Sequence, residues 1–274
     1  MSEQRLVAVQ MLSGDDLVAN LAQTEALLAQ AAGEGAGLAV LPENFAMFGA
    51  PRHIEVAAQL PRIQEQLATW AQRYKLWIVA GTLPAAVRPD GSAVSEGRVR
   101  PASLVFGADG EVKARYDKIH LFDVDVADAQ GRYQESATFE PGTQLMTVDT
   151  PCGRVGLSVC YDLRFPELFR ALAEMGADII TVPAAFTHVT GQAHWQVLLR
   201  ARAIENQVYM IGAGQGGVHN AQRHTWGHSQ IIDPWGVVLA ERTEMGPGLV
   251  LADRDGTAQL ELRRRMPVFA HRRL

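Results

Sequence analysis

The chain alternates short β-branched apolar runs with amphipathic segments from end to end, and this alternation constrains its fold more than any other feature. Leu6-Val7-Ala8-Val9-Gln10 reads as a buried strand, with Ser13 and Asp15 as helix-start signals after it. Leu17, Leu21, Leu27, Leu28 and Ala31 recur at near-helical spacing, and Gly33, Gly35 and Gly37 end that helix. Leu38-Ala39-Val40-Leu41, stopped by Pro42, completes a strand–helix–strand unit, which predicts parallel strands joined by a right-handed crossover. The pattern then predicts a helix over 60–74, a strand over 76–80 and a hairpin pairing 104–106 with 112–116 around Asp109-Gly110. A second hairpin pairs 145–148 with 154–159, followed by a helix over 166–175, a strand over 179–182, a helix around 194–205 and a strand over 208–213. A last hairpin, 229–232 with 237–240, crosses Asp233-Pro234-Trp235-Gly236. Residues 118–143 form a long polar loop, and a loop of that size in a compact domain is usually functional or disordered. No Pro-, Gly- or Ser-rich linker and no repeat divides the 274 residues, so the expectation is one mixed α/β domain over 1–274, with 270–274 a basic tail.

Composition removes several classes. Apolar residues at 47% and charged residues at 20% fit neither a disordered chain nor a coiled coil. Lys plus Arg number 25 against 30 Asp plus Glu, a net charge of −5, and no basic face suited to nucleic acid emerges. Arg263-Arg264-Arg265 and Arg272-Arg273 are too short for that role and read as a solvated tail or an interface ion-pair patch. No run reaches the roughly 20 apolar residues of a membrane span, and the opening residues lack a secretory leader layout. With 154–160 extended, Cys152 and Cys160 stand about 25 Å apart at ~3.3 Å per residue, too far for a disulfide. Two unpaired thiols point to a reducing, cytoplasmic setting.

Ligands of open α/β sheets gather beyond the carboxyl ends of strands, so reactive residues just after a strand are the candidates. Three stand there: Glu43, Lys118 and Cys160. Cys160 lies between a strand and a helix that Pro166 opens, and reads either as a nucleophile on a strand-to-helix turn or as a small buried apolar residue. Cys152, in a turn beside Pro151, reads as structural. A thiol of ordinary pKa ~8.5 is only slightly ionised at neutral pH and needs a base or a cation. Glu43 can serve as base if apolar surroundings raise its pKa, and Lys118 can stabilise a thiolate and an oxyanion. Their bland alternatives are a capping or solvated acid and a surface cation.

In order and spacing, Leu41-Pro42-Glu43-Asn44, Tyr116-Asp117-Lys118-Ile119-His120-Leu121-Phe122 and Val159-Cys160-Tyr161-Asp162-Leu163-Arg164-Phe165-Pro166-Glu167-Leu168 form a specific set. With Arg200–Asn206, Gly227-His228-Ser229 and Asp233-Pro234-Trp235-Gly236, they make the chain resemble the nitrilase superfamily of carbon–nitrogen hydrolases over nearly its whole length. The resemblance implies a four-layer α-β-β-α sandwich and a Glu–Lys–Cys triad at Glu43, Lys118 and Cys160. It implies a supporting glutamate at Glu135, with Glu140 the alternative, and a homodimer or higher even-numbered homo-oligomer. It also implies amide hydrolysis through a cysteinyl thioester, with the Tyr161 N–H at the oxyanion and no cofactor or metal.

Gly214–Ser229 and Phe186–Trp195 are similar to the branch of that family that hydrolyses deaminated glutathione, while the omega-amidase branch shares the triad. Both substrates carry a carboxylate near the scissile amide, so an arginine is expected in the pocket. Arg164 and Arg223 are the candidates; the alternatives are a structural ion pair for Arg164 and a solvent-exposed cation for Arg223. His219, His224 and His228, five and four apart, read as a substrate-lining loop or plain surface in preference to a metal site. Rival readings are a nitrilase or N-carbamoyl amino acid hydrolase on the same triad, an ammonia-supplying domain, and a non-catalytic small-molecule-binding protein.

Overall fold

The computed structural model describes residues 5–49, 51–95 and 97–273. Residues 1–4, 50, 96 and 274 lie outside the described residues. The opening residues of the leader reading and the last residue of the basic tail fall among them.

Two mixed sheets form the centre. The first runs Gly248–Asp253, Arg5–Gln10, Leu38–Val40, Trp77–Val79, Arg100–Phe106, Leu83–Ala85, with Val112–Asp117 also paired to Arg100–Phe106. The second runs Val238–Glu241, Gln230–Ile232, Tyr209–Gly214, Ile179–Ala184, Gly153–Leu157, Thr147–Thr150. Each has a parallel centre: Arg5–Gln10, Leu38–Val40 and Trp77–Val79 in the first, and Gly153–Leu157, Ile179–Ala184 and Tyr209–Gly214 in the second.

Side-chain alternation builds the layers. In the first strand Leu6 and Ala8 join a core with Val155, Leu157 and Ile231 of the second sheet. Val7 and Val9 face the other way, into a core with Leu21 and Leu28 of the helix Leu17–Gly33 and Ile63, Leu67 and Trp70 of the helix Leu60–Tyr74. The helices Pro166–Glu174 and His188–Asn206 cover the second sheet through Leu168, Phe169, Leu172, Trp195, Leu199 and Ala203. The result is an α-β-β-α sandwich of four layers. The sheets are tied where Met11 donates to the Gly214 carbonyl at 3.3 Å and Gly216 donates to the Met11 carbonyl at 2.8 Å.

Strand direction decides where the reactive residues emerge. Arg100–Phe106 is antiparallel to Trp77–Val79 and to Val112–Asp117, so Val112–Asp117 runs in the same sense as Leu38–Val40. Their carboxyl ends, followed by Lys118 and Glu43, therefore open on one edge. The parallel pair Gly153–Leu157 and Ile179–Ala184 likewise places Cys160 and Ala185 at one end of the second sheet.

The structure departs from the sequence reading in places where long-range pairing acts. The 118–143 loop is partly ordered as a ribbon, Asp123–Asp125 with Arg132–Gln134, followed by a 3-10 turn over Glu135–Ala137. The late glycine-containing loop holds a second ribbon, Gly216–Val218 with His224–Trp226. The helix expected around 194–205 starts earlier, at His188, where the Thr187 hydroxyl accepts the Thr190 N–H at 3.4 Å. Arg263 does not belong to a solvated run: in the helix Gly256–Arg265 it bonds Asp178 at 2.9 Å and the Ala177 carbonyl at 2.8 Å, fixing that helix to the second sheet. Arg272 pairs with Glu174. Among the described residues, no helix is long and apolar enough to cross a membrane.

Candidate active site

Four side chains from separate parts of the chain converge between the two sheets. Glu43, 4% exposed, follows Leu38–Val40 and Pro42; its Oε1 accepts from Lys118 Nζ at 2.9 Å and its Oε2 from the Ala185 N–H at 3.0 Å. Lys118, 1% exposed, also donates to both oxygens of Glu135, at 2.9 and 2.8 Å. Glu135 in turn accepts the Phe122 N–H at 2.6 Å, so the 3-10 turn is held by the lysine it supports. The buried Cys160 thiol interacts with the Glu43 carboxylate, the Lys118 ammonium and the Ala185 N–H.

Cys160 sits at φ 49° on the first residue of a 3-10 turn, Cys160–Arg164, directly after the strand. A non-glycine residue in left-handed geometry is strained, and such strain persists only where surrounding contacts hold it. Here the Asp162 carboxylate accepts the Val159 N–H at 2.8 Å from the other side of the turn.

The electrostatics are those of one buried cation between acids. Burial works against the Lys118 ammonium, but Glu135, Glu43 and Cys160 outweigh it and hold its pKa well above the ordinary lysine value. Burial raises the Glu135 carboxyl, with Lys118 in partial opposition. Burial first, and then the Glu43 charge, push the Cys160 thiol well above its ordinary value, while Lys118 pulls it down. Both effects favour the thiol form of the sulfur and disfavour a lone thiolate beside Glu43. Transfer of its proton to Glu43 leaves the net charge of the buried cluster unchanged.

The cluster forms the floor of a cavity of about 430 Å³. Arg164 and Arg223 both line it and are half-buried. Arg164 makes no structural ion pair: it donates to His194 Nδ1 at 3.2 Å and its guanidinium lies 5.3 Å from the Phe186 ring and 5.9 Å from the Tyr161 ring. Arg223 is not a free surface cation: it lies 4.9 Å from each of the Phe48 and Tyr133 rings and donates to Gln130 Oε1 at 3.1 Å. Among the described residues, neither arginine has a carboxylate within ion-pairing distance.

Glu140 stands outside this cluster. It pairs with Arg88 at 2.7 Å and with Arg100, and these guanidinium contacts, Arg88 foremost, lower its pKa to about 2. Cys152 is fully buried in the turn between Thr147–Thr150 and Gly153–Leu157. The three late histidines do not converge: His219 bonds the Ser13 carbonyl and the Thr225 hydroxyl, each at 2.7 Å, His228 pairs with Glu241 at 2.8 Å, and His224 stacks on His188.

Sequence reasoning missed two participants. The Ala185 N–H follows a strand whose residues carry no reactive group, so only the folded geometry shows it. Asp162 was visible two residues after Cys160, yet its buried hydrogen bonds depend on Tyr116 and His120, far back in the chain.

Known proteins share this arrangement of elements. Residues 5–261 match the carbon–nitrogen hydrolase family. A deaminated glutathione amidase of Yersinia enterocolitica is 44% identical, over 100% of this chain and 94% of that protein. The crystal structure of the Caenorhabditis elegans NitFhit protein superposes with a TM-score of 0.90 at 36% identity, covering 100% of this chain and 66% of that one. An amidase from Nesterenkonia, in a Glu-to-Gln variant with the acetamide moiety of fluoroacetamide added covalently to its active-site cysteine, gives 0.80 at 27% identity over 98% of this chain and 97% of that one. This chain belongs to the carbon–nitrogen hydrolase family and is an amide hydrolase that uses a cysteine nucleophile.

Proposed function

We propose that this chain hydrolyses a small carboxylate-bearing amide through a thioester on Cys160. Glu43 accepts the thiol proton as the sulfur attacks the carbonyl carbon. Lys118 Nζ and the Tyr161 N–H stabilise the developing oxyanion, and Glu135 holds the ammonium in place. Protonated Glu43 delivers its proton to the departing amine. Water then gives a proton to Glu43 and attacks the thioester, the acid leaves, and the thiol is restored. The observation that carries this reading is the buried Lys118 ammonium bonded at once to Glu43 at 2.9 Å and Glu135 at 2.8 Å, with the Cys160 thiol against the same carboxylate.

The substrate we assign is deaminated glutathione, the compound named for the Yersinia relative. Two cavity arginines without carboxylate partners among the described residues support a substrate that brings its own. The test is a product assay across deaminated glutathione, α-ketoglutaramate, a carbamoyl amino acid and a short nitrile, scoring the acid formed. Preferential turnover of deaminated glutathione is expected; preference for the nitrile or the carbamoyl compound overturns the assignment.

In this reading 1–274 is one catalytic domain ending in a short basic tail at 270–274, and it works in the reducing cytoplasm, where a thiol nucleophile stays reduced. It also acts as a homodimer or higher even-numbered oligomer. An apolar strip supports this: Val197 and Ile204 of the helix His188–Asn206 are exposed, as are Trp235, Val237 and Leu239 of the neighbouring hairpin. Arg200 donates to the Gly236 carbonyl at 2.9 Å and locks helix to hairpin. Sedimentation should give an even-numbered oligomer that Trp235→Asp dissociates; a wild-type monomer overturns it.

A further inference from the structure

Asp162 is fully buried, and its two carboxylate oxygens accept four hydrogen bonds from three residues in two stretches of chain. Oδ2 takes the Tyr116 hydroxyl at 2.7 Å and the Val159 N–H at 2.8 Å. Oδ1 takes the His120 N–H at 3.1 Å and His120 Nδ1 at 2.7 Å. The placement of these donors matters more than their number. Tyr116 and His120 stand two residues before and two residues after Lys118, while Val159 and Asp162 bracket Cys160. One carboxylate thus ties both flanks of the lysine to both flanks of the cysteine. The partners are themselves fixed: the Tyr116 hydroxyl also accepts the Ile119 N–H at 3.3 Å, and the His120 ring stacks on Phe165 with centroids 3.7 Å apart.

From this geometry we propose that Asp162 is a positioning residue that sets the register between Lys118 and Cys160 and holds the strained turn beneath the sulfur. Among the described residues no other side-chain hydrogen bond joins the Lys118 flanks to the cysteine turn: the Lys118 ammonium reaches Glu43 and Glu135, and Arg202 holds the turn's far end by its Leu163 carbonyl. Asn is a poor replacement for Asp162, because an amide nitrogen in either position meets a backbone N–H, of His120 or of Val159, where a lone pair is required. A displacement of about 1 Å between catalytic groups lowers turnover by about 10²-fold, so the effect falls on kcat. The substrate contacts of the cavity wall are untouched, so KM stays near its wild-type value.

This inference rests on the reading of Cys160 as nucleophile, and the experiment separates the two. The purified enzyme is titrated for active sites by trapping the acyl-enzyme from a slow amide, with Cys160→Ala as the control for adduct formation, and kcat per titrated site is measured for wild type, Asp162→Asn, Tyr116→Phe and His120→Gln. An adduct on Cys160→Ala sinks the nucleophile reading itself. With that reading intact, Asp162→Asn should lose tenfold or more in kcat per titrated site with little change in KM. Tyr116→Phe and His120→Gln should each give a smaller loss, and Asp162→Asn combined with either should lose less than the product of the separate factors. A carboxylate that only stabilises the fold would lower Tm and the fraction of active sites while leaving kcat per site unchanged; that result overturns the proposal. If Asp162→Asn does not fold, the single-arm variants decide, and wild-type kcat per site in both refutes it.

Discussion

The inner edge of the two sheets and the mouth of the cavity solve the placing of charge in opposite ways. At the inner edge, Lys118 is buried with two carboxylates bonded to its one nitrogen, and every atom of Glu43 that can accept does so. At the mouth, Arg164 and Arg223 rest on aromatic faces and bond a His194 ring nitrogen and the Gln130 side-chain oxygen, with no carboxylate partner among the described residues. A buried charge must be paired because its desolvation is costly, and a half-solvated guanidinium can remain ready for an anion that arrives. In the function proposed above, the first region carries out the reaction and the second selects what undergoes it.

Substitutions at the two regions should therefore fail differently. Lys118→Arg keeps the charge but puts a planar fork where a compact ammonium meets three oxygens, and kcat should fall by about 10²–10³-fold with the protein still folded. Near-normal steady-state kinetics would remove the lysine from the chemistry. At the mouth, Arg223→Gln should raise KM by about tenfold for substrates carrying a carboxylate, the scale of one lost charged hydrogen bond. For a neutral amide it should change little; an equal loss on both would make Arg223 a structural residue.

The loop that carries Arg223 also contains a pH-dependent element. Burial foremost, with Arg223 and His224 adding like charge, lowers the His219 pKa from 6.5 to about 4, the Ser13 carbonyl acting in opposition. A base depressed in the folded state contributes its full stability above the unfolded value of 6.5 and loses it as pH falls towards 4, because only the unfolded chain takes up the proton there. Thermal melts from pH 7 to 4 should show a steeper fall in Tm for wild type than for His219→Gln; parallel curves would contradict this. The smallest effect is expected at Cys152, buried away from the cluster: Cys152→Ser should leave turnover unchanged, and a large rate loss would show that the chemistry uses the other thiol.

The same contrast explains what could be read from the chain before folding. Strand ends are local signals: Glu43 and Cys160 each stand just past an apolar run and Lys118 just past the strand Val112–Asp117, so their shared edge followed from the direction of the strands. Glu135 was reached by resemblance alone, because a loop residue's place depends on what it grips, here Lys118 and the Phe122 N–H. The strand Gly248–Asp253 pairs with Arg5–Gln10 across almost the whole chain, and no local periodicity announces such a partner. Asp162 shows the limit most plainly: its residue type was in view, but its importance lies in donors 42 and 46 positions away.

The central claim is that the sulfur of Cys160 forms a covalent acyl intermediate under the control of Glu43 and Lys118. Intact-protein mass spectrometry after rapid quench with a slowly hydrolysed amide tests it most directly. The account predicts an acyl adduct on wild type and on Cys152→Ser, located at residue 160 by peptide mapping, and none on Cys160→Ala, whose Tm stays close to wild type. Turnover by folded Cys160→Ala, or an adduct mapped to any other residue, would contradict it.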